Sequence, residues 1–349
     1  MKKFKKILAL IMTLNILIIQ LPSFTPKAIE NYFEIPTGRP LKVAALFYSY
    51  NDIFLSLIRK RFEDIQKENE SKVKFTFFDA KSNNIAQLEN INNSIEGDFD
   101  FVILNMVEKR KDVVEEIFSK FKIKNIPVIL IAADIPETDA FSTYNKAFVL
   151  ISDAVGSGIA QGKLIADIWK NNKTTMDKNN DGTLQYIIIK GKETSPYTIE
   201  RSRYSISTIN NSGIKTQELA SVPAEWDKEE AKNMVSSLFL KYGNKIESII
   251  SNNDAMAIGA IEALQKYGYN MGDKLKTIPV FGLDGIDEAK DLIKKGYMTG
   301  TVFQDPVTIA NAAYTVGINL FSDKISTKDT NLKLNGKEII IPMVYEPIY

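Results

Sequence analysis

Apolar residues fall along this chain in two alternating rhythms. Short, nearly unbroken apolar runs are followed by longer stretches in which apolar positions lie three or four residues apart. The first rhythm suits a strand covered on both faces, the second a helix with one buried face. Residues 42–48, 73–78, 101–104, 127–131 and 147–151 read as strands, with helices over 54–68, 85–95 and 113–121 between them. A helix reaching Trp169 follows. A second set has strands at 186–189, 218–221, 248–251 and 279–282, and helices over 197–210, 227–242, 254–267 and 285–294. A strand at 300–303, a helix over 307–320 and a strand at 337–342 close the chain. Such alternation argues an α/β fold of parallel sheets with helices on both faces. Two similar halves emerge, with the late segments free to return to the first. Ligands of open parallel sheets bind beyond the carboxyl ends of the strands, which places a site in the cleft between the halves.

Length agrees, since 349 residues correspond to about two domains. Charge adds little: Lys+Arg 44 against Asp+Glu 43 offers no electrostatic footprint for nucleic acid. Two absences change the picture more. Without Cys there is no disulfide, thiol nucleophile or thiolate zinc site, and without His no Ser-His-Asp triad or imidazole ligand. Most enzyme templates are excluded, and no enzyme is expected. At the start, Lys2, Lys3, Lys5 and Lys6 precede an apolar run over 7–21, broken by Thr13, Asn15 and Gln20. It falls short of the about 20 residues of a spanning helix and reads as a secretory signal or an uncleaved anchor over 1–24. Residues 25–40, with Pro26, Pro36, Gly38 and Pro40, read as a tether. An extracytoplasmic location is expected.

Candidate chemistry comes from three places. In Asp177-Lys178-Asn179-Asn180-Asp181-Gly182-Thr183-Leu184-Gln185, oxygen side chains alternate, a glycine sits at the sixth place and Gln185 at the ninth. That is most of an EF-hand calcium loop, with the Thr183 carbonyl at its seventh position. Ile188 stands where the bidentate Glu belongs, so a cation needs one more carboxylate; the alternative is an Asx turn feeding a strand. Gly156-Ser157-Gly158 lacks the dinucleotide spacing and is read as close helix packing. Finally, the strand ends are polar: Asp52 and Phe54 after the first, Asn253 and Asp284 after two later ones, Arg201 early in a helix, and Trp226 in a turn. Such residues pair with the vicinal hydroxyls of a carbohydrate while aromatic rings cover its C–H faces. Taken singly, Asp52, Asn253 and Asp284 are also candidate helix caps, Phe54 a core residue and Arg201 a partner of Glu200.

The segments Asp52-Ile53-Phe54-Leu55-Ser56, Ala224-Glu225-Trp226-Asp227, Asn252-Asn253-Asp254-Ala255-Met256-Ala257-Ile258-Gly259-Ala260 and Ile278-Pro279-Val280-Phe281-Gly282-Leu283-Asp284, with the calcium-like loop, resemble the periplasmic galactose/glucose-binding proteins. The likeness runs from about residue 42 to the end. It implies two Rossmann-like domains, 41–150 plus 306–341 and 151–305 plus 342–349, hinged near Ile151, Gln304 and Val344. It implies a monomer that closes on a monosaccharide and delivers it to the permease of an ABC transporter. The rival is a membrane-tethered sugar sensor docking on a signalling protein. In the calcium site, the resemblance gives Glu247 as the missing carboxylate beside Asp177, Asn179, Asp181, Thr183 and Gln185, with Ca2+ structural. In the sugar site it gives Asp52, Phe54, Arg201, Trp226, Asn253 and Asp284. Four positions depart: an Asn is lost at Ala132-Ala133-Asp134, a His and an Asp become Ser195 and Tyr197, and a late Asn becomes Gln304. One unpaired sugar hydroxyl costs about 1–3 kcal/mol, so specificity should move away from the family's hexoses. Either Tyr197 fills the place of a hydroxymethyl, favouring a pentose or altered hexose, or Ser195 binds that group through water.

Overall fold

Leu41–Phe47 (β1) is apolar at nearly every position and buried on both faces, as a central parallel strand must be. The computed structural model describes residues 38–132, 135–323 and 331–349; the signal and most of the tether expected at the N-terminus lie outside them, as do Ala133 and Asp134. Around β1 assemble β2 (Val73–Asp79), β3 (Phe101–Leu104), β4 (Val128–Ile131) and β5 (Ala147–Ser152). Two late strands return to this sheet, β12 (Glu338–Ile341) parallel to β5 and β11 (Lys333–Asn335) antiparallel on its edge. The order is β11-β12-β5-β4-β3-β1-β2.

Alternate residues serve opposite faces. Ala44, Leu46, Val102, Leu104, Val128, Leu130 and Val149 pack with Ile91 of α2 (Asn84–Glu96) and with Val114, Phe118 and Phe121 of α3 (Lys111–Lys124). On the other face lie α1 (Ile53–Glu68) and α9 (Pro306–Phe321), which pack on each other. Phe62 of α1 stacks on Phe75 at 5.2 Å, and Gly317 of α9 lets the Phe101 ring come within 2.2 Å of where a Cβ would sit. Burying such a ring contributes about 1.5–3 kcal/mol.

The second sheet has the order β7-β6-β8-β9, all parallel: β6 (Thr183–Lys190), β7 (Lys215–Pro223), β8 (Ser248–Ser251) and β9 (Val280–Phe281). Parallel bridges Phe281–Gly300 and Asp284–Phe303 attach β10 (Thr301–Phe303), which pairs antiparallel with β13 (Glu346–Ile348). On one face α4 (Ala154–Asn171) packs against α5 (Pro196–Asn211); on the other α6 (Lys228–Tyr242) packs against α7 (Asp254–Gln265), with α8 (Asp287–Lys294) beside them. A Cβ at Gly158 would lie 2.8 Å from the Arg201 carbonyl oxygen and one at Gly162 2.5 Å from that of Ser205, so these glycines set the approach of α4 to α5. Close helix packing is therefore their role.

The chain crosses between the sheets three times: after β5, between β10 and α9, and between β12 and β13. Among the described residues no helix is long and apolar enough to cross a membrane. Element boundaries differ from the sequence reading at several places, three of which have a clear cause or bear on the site. β6 begins at Thr183, inside the calcium-like loop, because its pairing with β7 starts there. β9 keeps only two paired residues, since Gly282 turns its N–H to the Gly300 carbonyl. The helix expected after Asp284 starts at Asp287.

Candidate functional site

The carboxyl ends of both sheets face a cavity of about 140 Å³. Asp52, Phe54, Ser195, Tyr197, Arg201, Trp226, Asn253, Asp284 and Gln304 all line it, as does Ala132. Residues scattered over some 250 positions of sequence are thus brought together by parallel topology alone. Ile53 and Leu57 of α1 reach across to pack on the core of the second lobe, so the lobes are drawn together around the cavity.

Asp52 caps α1 by accepting from the Leu55 N–H at 2.9 Å, and its other oxygen accepts from the Tyr48 hydroxyl at 2.8 Å. Burial pushes this carboxyl above its usual range against those hydrogen bonds. Asn253 likewise caps α7, accepting from the Met256 N–H at 2.9 Å. For these two, capping and lining the cavity are the same placement: a cap holds the side chain at the strand-to-helix turn. Asp284 is different. It caps nothing, has a backbone φ of 134°, and directs its carboxylate at the Gln304 amide, whose Nε2 donates at 2.6 Å. A non-glycine residue pays for that backbone conformation, which is characteristic of functional sites.

Arg201 occupies the centre. It is 6% exposed and does not pair with Glu200, which bridges to Arg203 instead. Nη1 donates to the Asn252 carbonyl at 2.9 Å and Nη2 to Gln304 Oε1 at 3.3 Å. A relay Arg201–Gln304–Asp284 results. Among the described residues its Nε is buried and without a hydrogen-bond partner. The guanidinium lies 5.7 Å from the Tyr197 ring centroid and 5.8 Å from that of Trp226. Burial holds the Asp284 carboxyl well above its ordinary value; Arg201 opposes that, while Asp254 and Asp52 add to it. Trp226, at φ 69°, is fixed from behind, since a Cβ at Gly191 would meet its indole at 2.2 Å.

Other lining residues were not anticipated. Tyr48 follows β1 and Asn105 follows β3; Asn105 donates to the Ile131 carbonyl at 3.0 Å and accepts from the Tyr48 N–H at 3.4 Å. A polar residue after a strand was the available signal for both. Met106, Leu150, Ile309 and Ile341 supply an apolar side, and Lys109, Lys192 and Glu225 line the cavity as well. No local pattern marks those.

At the opposite end of β6 lies the calcium-like loop. Asp177, 4% exposed, accepts from the N–H groups of Asp181 and Gly182, each at 3.0 Å, as an Asx-type loop requires. Glu247, before β8, accepts from the N–H groups of Lys178 at 2.6 Å and Gln185 at 3.1 Å, so the distant carboxylate does close the loop. Among the described residues no three acidic side chains are drawn together as a metal site. The donor chemistry nevertheless fits a hard cation. Gln185 Oε1 is buried without a partner, and the amide nitrogens of Asn179 and Gln185 donate to Asp181 at 2.9 and 2.8 Å. Turning the Gln185 amide over would point its oxygen at that centre, whereas the Asn179 oxygen already accepts from the Asp181 N–H at 3.0 Å.

Residues 43–325 match the family described as a periplasmic binding protein domain. The chain belongs to the periplasmic binding proteins. Within that family it is 34% identical over 306 residues, 87% of this chain and 88% of the other, to the D-galactose/methyl-galactoside binding periplasmic protein of Haemophilus influenzae. Solved structures share the fold. An ABC transporter solute binding protein from Bacillus halodurans C-125 with bound myo-inositol gives a TM-score of 0.69 at 20% identity, covering 89% of this chain and 95% of that one. A glucose-galactose binding protein from Geobacillus stearothermophilus gives 0.66 at 16% identity, covering 89% and 97%. This periplasmic binding protein is therefore of the two-lobed, three-crossover type, with its cavity at the junction of the lobes.

Proposed function

We propose that this periplasmic binding protein is an extracytoplasmic monosaccharide-binding subunit that delivers its ligand to an ABC transporter by hinge closure. The observation that carries the reading is the Arg201–Gln304–Asp284 relay, with a spare buried Arg201 Nε, opposite Asp52 on the other lobe. Sugar hydroxyls donate to carboxylates and accept from guanidinium and amide groups at once, which is the mixture these walls offer. Phe54 and Trp226 give apolar faces for the ring. The galactoside-binding relative supports the sugar class.

The changed positions favour a pentose or an altered hexose over glucose and galactose. Tyr197 brings a ring, and Ala132 a bare methyl, where the resemblance has hydrogen-bonding groups for the sugar's ends. Calorimetric titration with glucose, galactose, xylose, arabinose and ribose tests this. Saturable binding of one pentose above the hexoses is expected; no heat with any of the five would overturn the monosaccharide reading.

We infer also that Ca2+ sits in the loop of Asp177, Asn179, Asp181, Thr183, Gln185 and Glu247. It would neutralise carboxylates there and join the loop to the start of β8. Its role is structural, since the loop lies at the far end of β6 from the cavity.

A further inference from the structure

Tyr197 stands on the second residue of α5, in the second lobe, and its ring lines the cavity. Its hydroxyl oxygen accepts from the Ser152 N–H at 3.1 Å. Ser152 is the last residue of β5, paired with Ile341 in the first sheet, and the next residues carry the chain across to α4. The bond therefore spans the two lobes at the first crossover. Beside it, Tyr345 of the third crossover donates its hydroxyl to the Asp153 carbonyl at 2.7 Å. The second crossover contributes Gln304, which accepts from Arg201. So the floor of the cavity is built from the hinge segments, and Tyr197 touches both the ligand space and a hinge backbone group.

We propose that Tyr197 reads ligand length and hinge closure with one side chain. A substituent reaching into the space of its ring must displace it. That breaks the bond to Ser152 and strips an aromatic face from Arg201. A ligand that stops short leaves the clamp closed. The selected class is thus a polyol ring without a further carbon at the Tyr197 end, which rests on the monosaccharide reading above. The Tyr197–Ser152 bond is a separate matter and belongs to the protein alone.

The test uses both properties. Because the chain has no Cys, Glu89→Cys and Asn233→Cys, at exposed positions on α2 and α6, can carry a spin-label pair reporting lobe separation. Without sugar, Tyr197→Phe keeps the ring and loses the hydroxyl; it should shift the open-to-closed ratio about three- to ten-fold toward open, the worth of one hydrogen bond. Tyr197→Ala should raise the hexose-over-pentose affinity ratio roughly ten-fold or more, as expected when a pocket gains room for one carbon group. An unchanged distance distribution in Tyr197→Phe, or an unchanged ratio in a folded Tyr197→Ala, overturns the proposal. A wild-type chain that binds no sugar overturns the monosaccharide reading instead, and the distance measurement still decides the clamp.

Discussion

The two lobes bring unlike walls to one cavity. The first contributes Phe54, Leu55, Met106, Ala132, Leu150, Ile309 and Ile341, with Tyr48, Asp52, Asn105, Lys109 and Ser152 among its polar groups. From the second come Ser195, Tyr197, Arg201, Asn253 and Asp284, with Gln304 at the crossover. The relay of hydrogen bonds runs entirely through the latter set, whereas Asp52 is tied back to its own lobe through Tyr48 and the start of α1. In the function proposed above, one wall would read hydroxyl positions and the other mainly exclude water. That division is economical: polar groups that converge on one rigid lobe are ordered before the ligand arrives, and closure then strengthens each of their bonds by removing solvent.

Replacing Arg201 should test this asymmetry hardest. Arg201→Met removes the buried donor and leaves the Gln304 oxygen and Asp284 uncompensated, so affinity should fall about 100-fold or more by calorimetry. Met106→Leu on the opposite wall is the control, with a change of less than about five-fold, since volume and apolar character are kept. Equal losses from the two would end the idea of unlike walls. Smaller in effect is the loop at the other end of β6. Chelation should lower the melting temperature by a few degrees and leave sugar selectivity alone, because a bound cation stabilises the fold by mass action. An identical melt with and without chelator would rule out the site. Smallest is a pH effect at Asp254, which accepts from the Thr301 hydroxyl and the Ile286 N–H yet is raised above its ordinary 3.8 by burial. A raised carboxyl favours folding fully below the unfolded value and loses that contribution as pH climbs through the folded one. The stability advantage of the wild type over Asp254→Asn should therefore shrink as melts are run from about pH 4 upward, and parallel profiles would contradict it.

Much of this was legible because buried parallel strands are written as continuous apolar runs. β3 begins and ends where its run does, at Phe101 and Leu104. The cavity was legible for a related reason: polar residues at strand ends must converge when strands are parallel. What failed had no local signature. β13 is three residues containing Pro347, and only its antiparallel partner β10 makes it a strand. Lys109, Lys192 and Glu225 border the cavity through loop paths that no periodicity describes. For Asp52 and Asn253 capping and lining are not alternatives, since each caps its helix and borders the cavity from the same strand-to-helix turn.

The indole pinned on Gly191 has one more consequence. The chain contains two tryptophans, and the other, Trp169, is 3% exposed in the core between α4 and the second sheet, away from the cavity. Its emission should stay a constant background. Trp226, held against bare backbone with a guanidinium beside it, should be the chromophore whose emission changes when the cleft fills. Under the proposed function the protein would carry its own optical gauge of occupancy, with no label to attach.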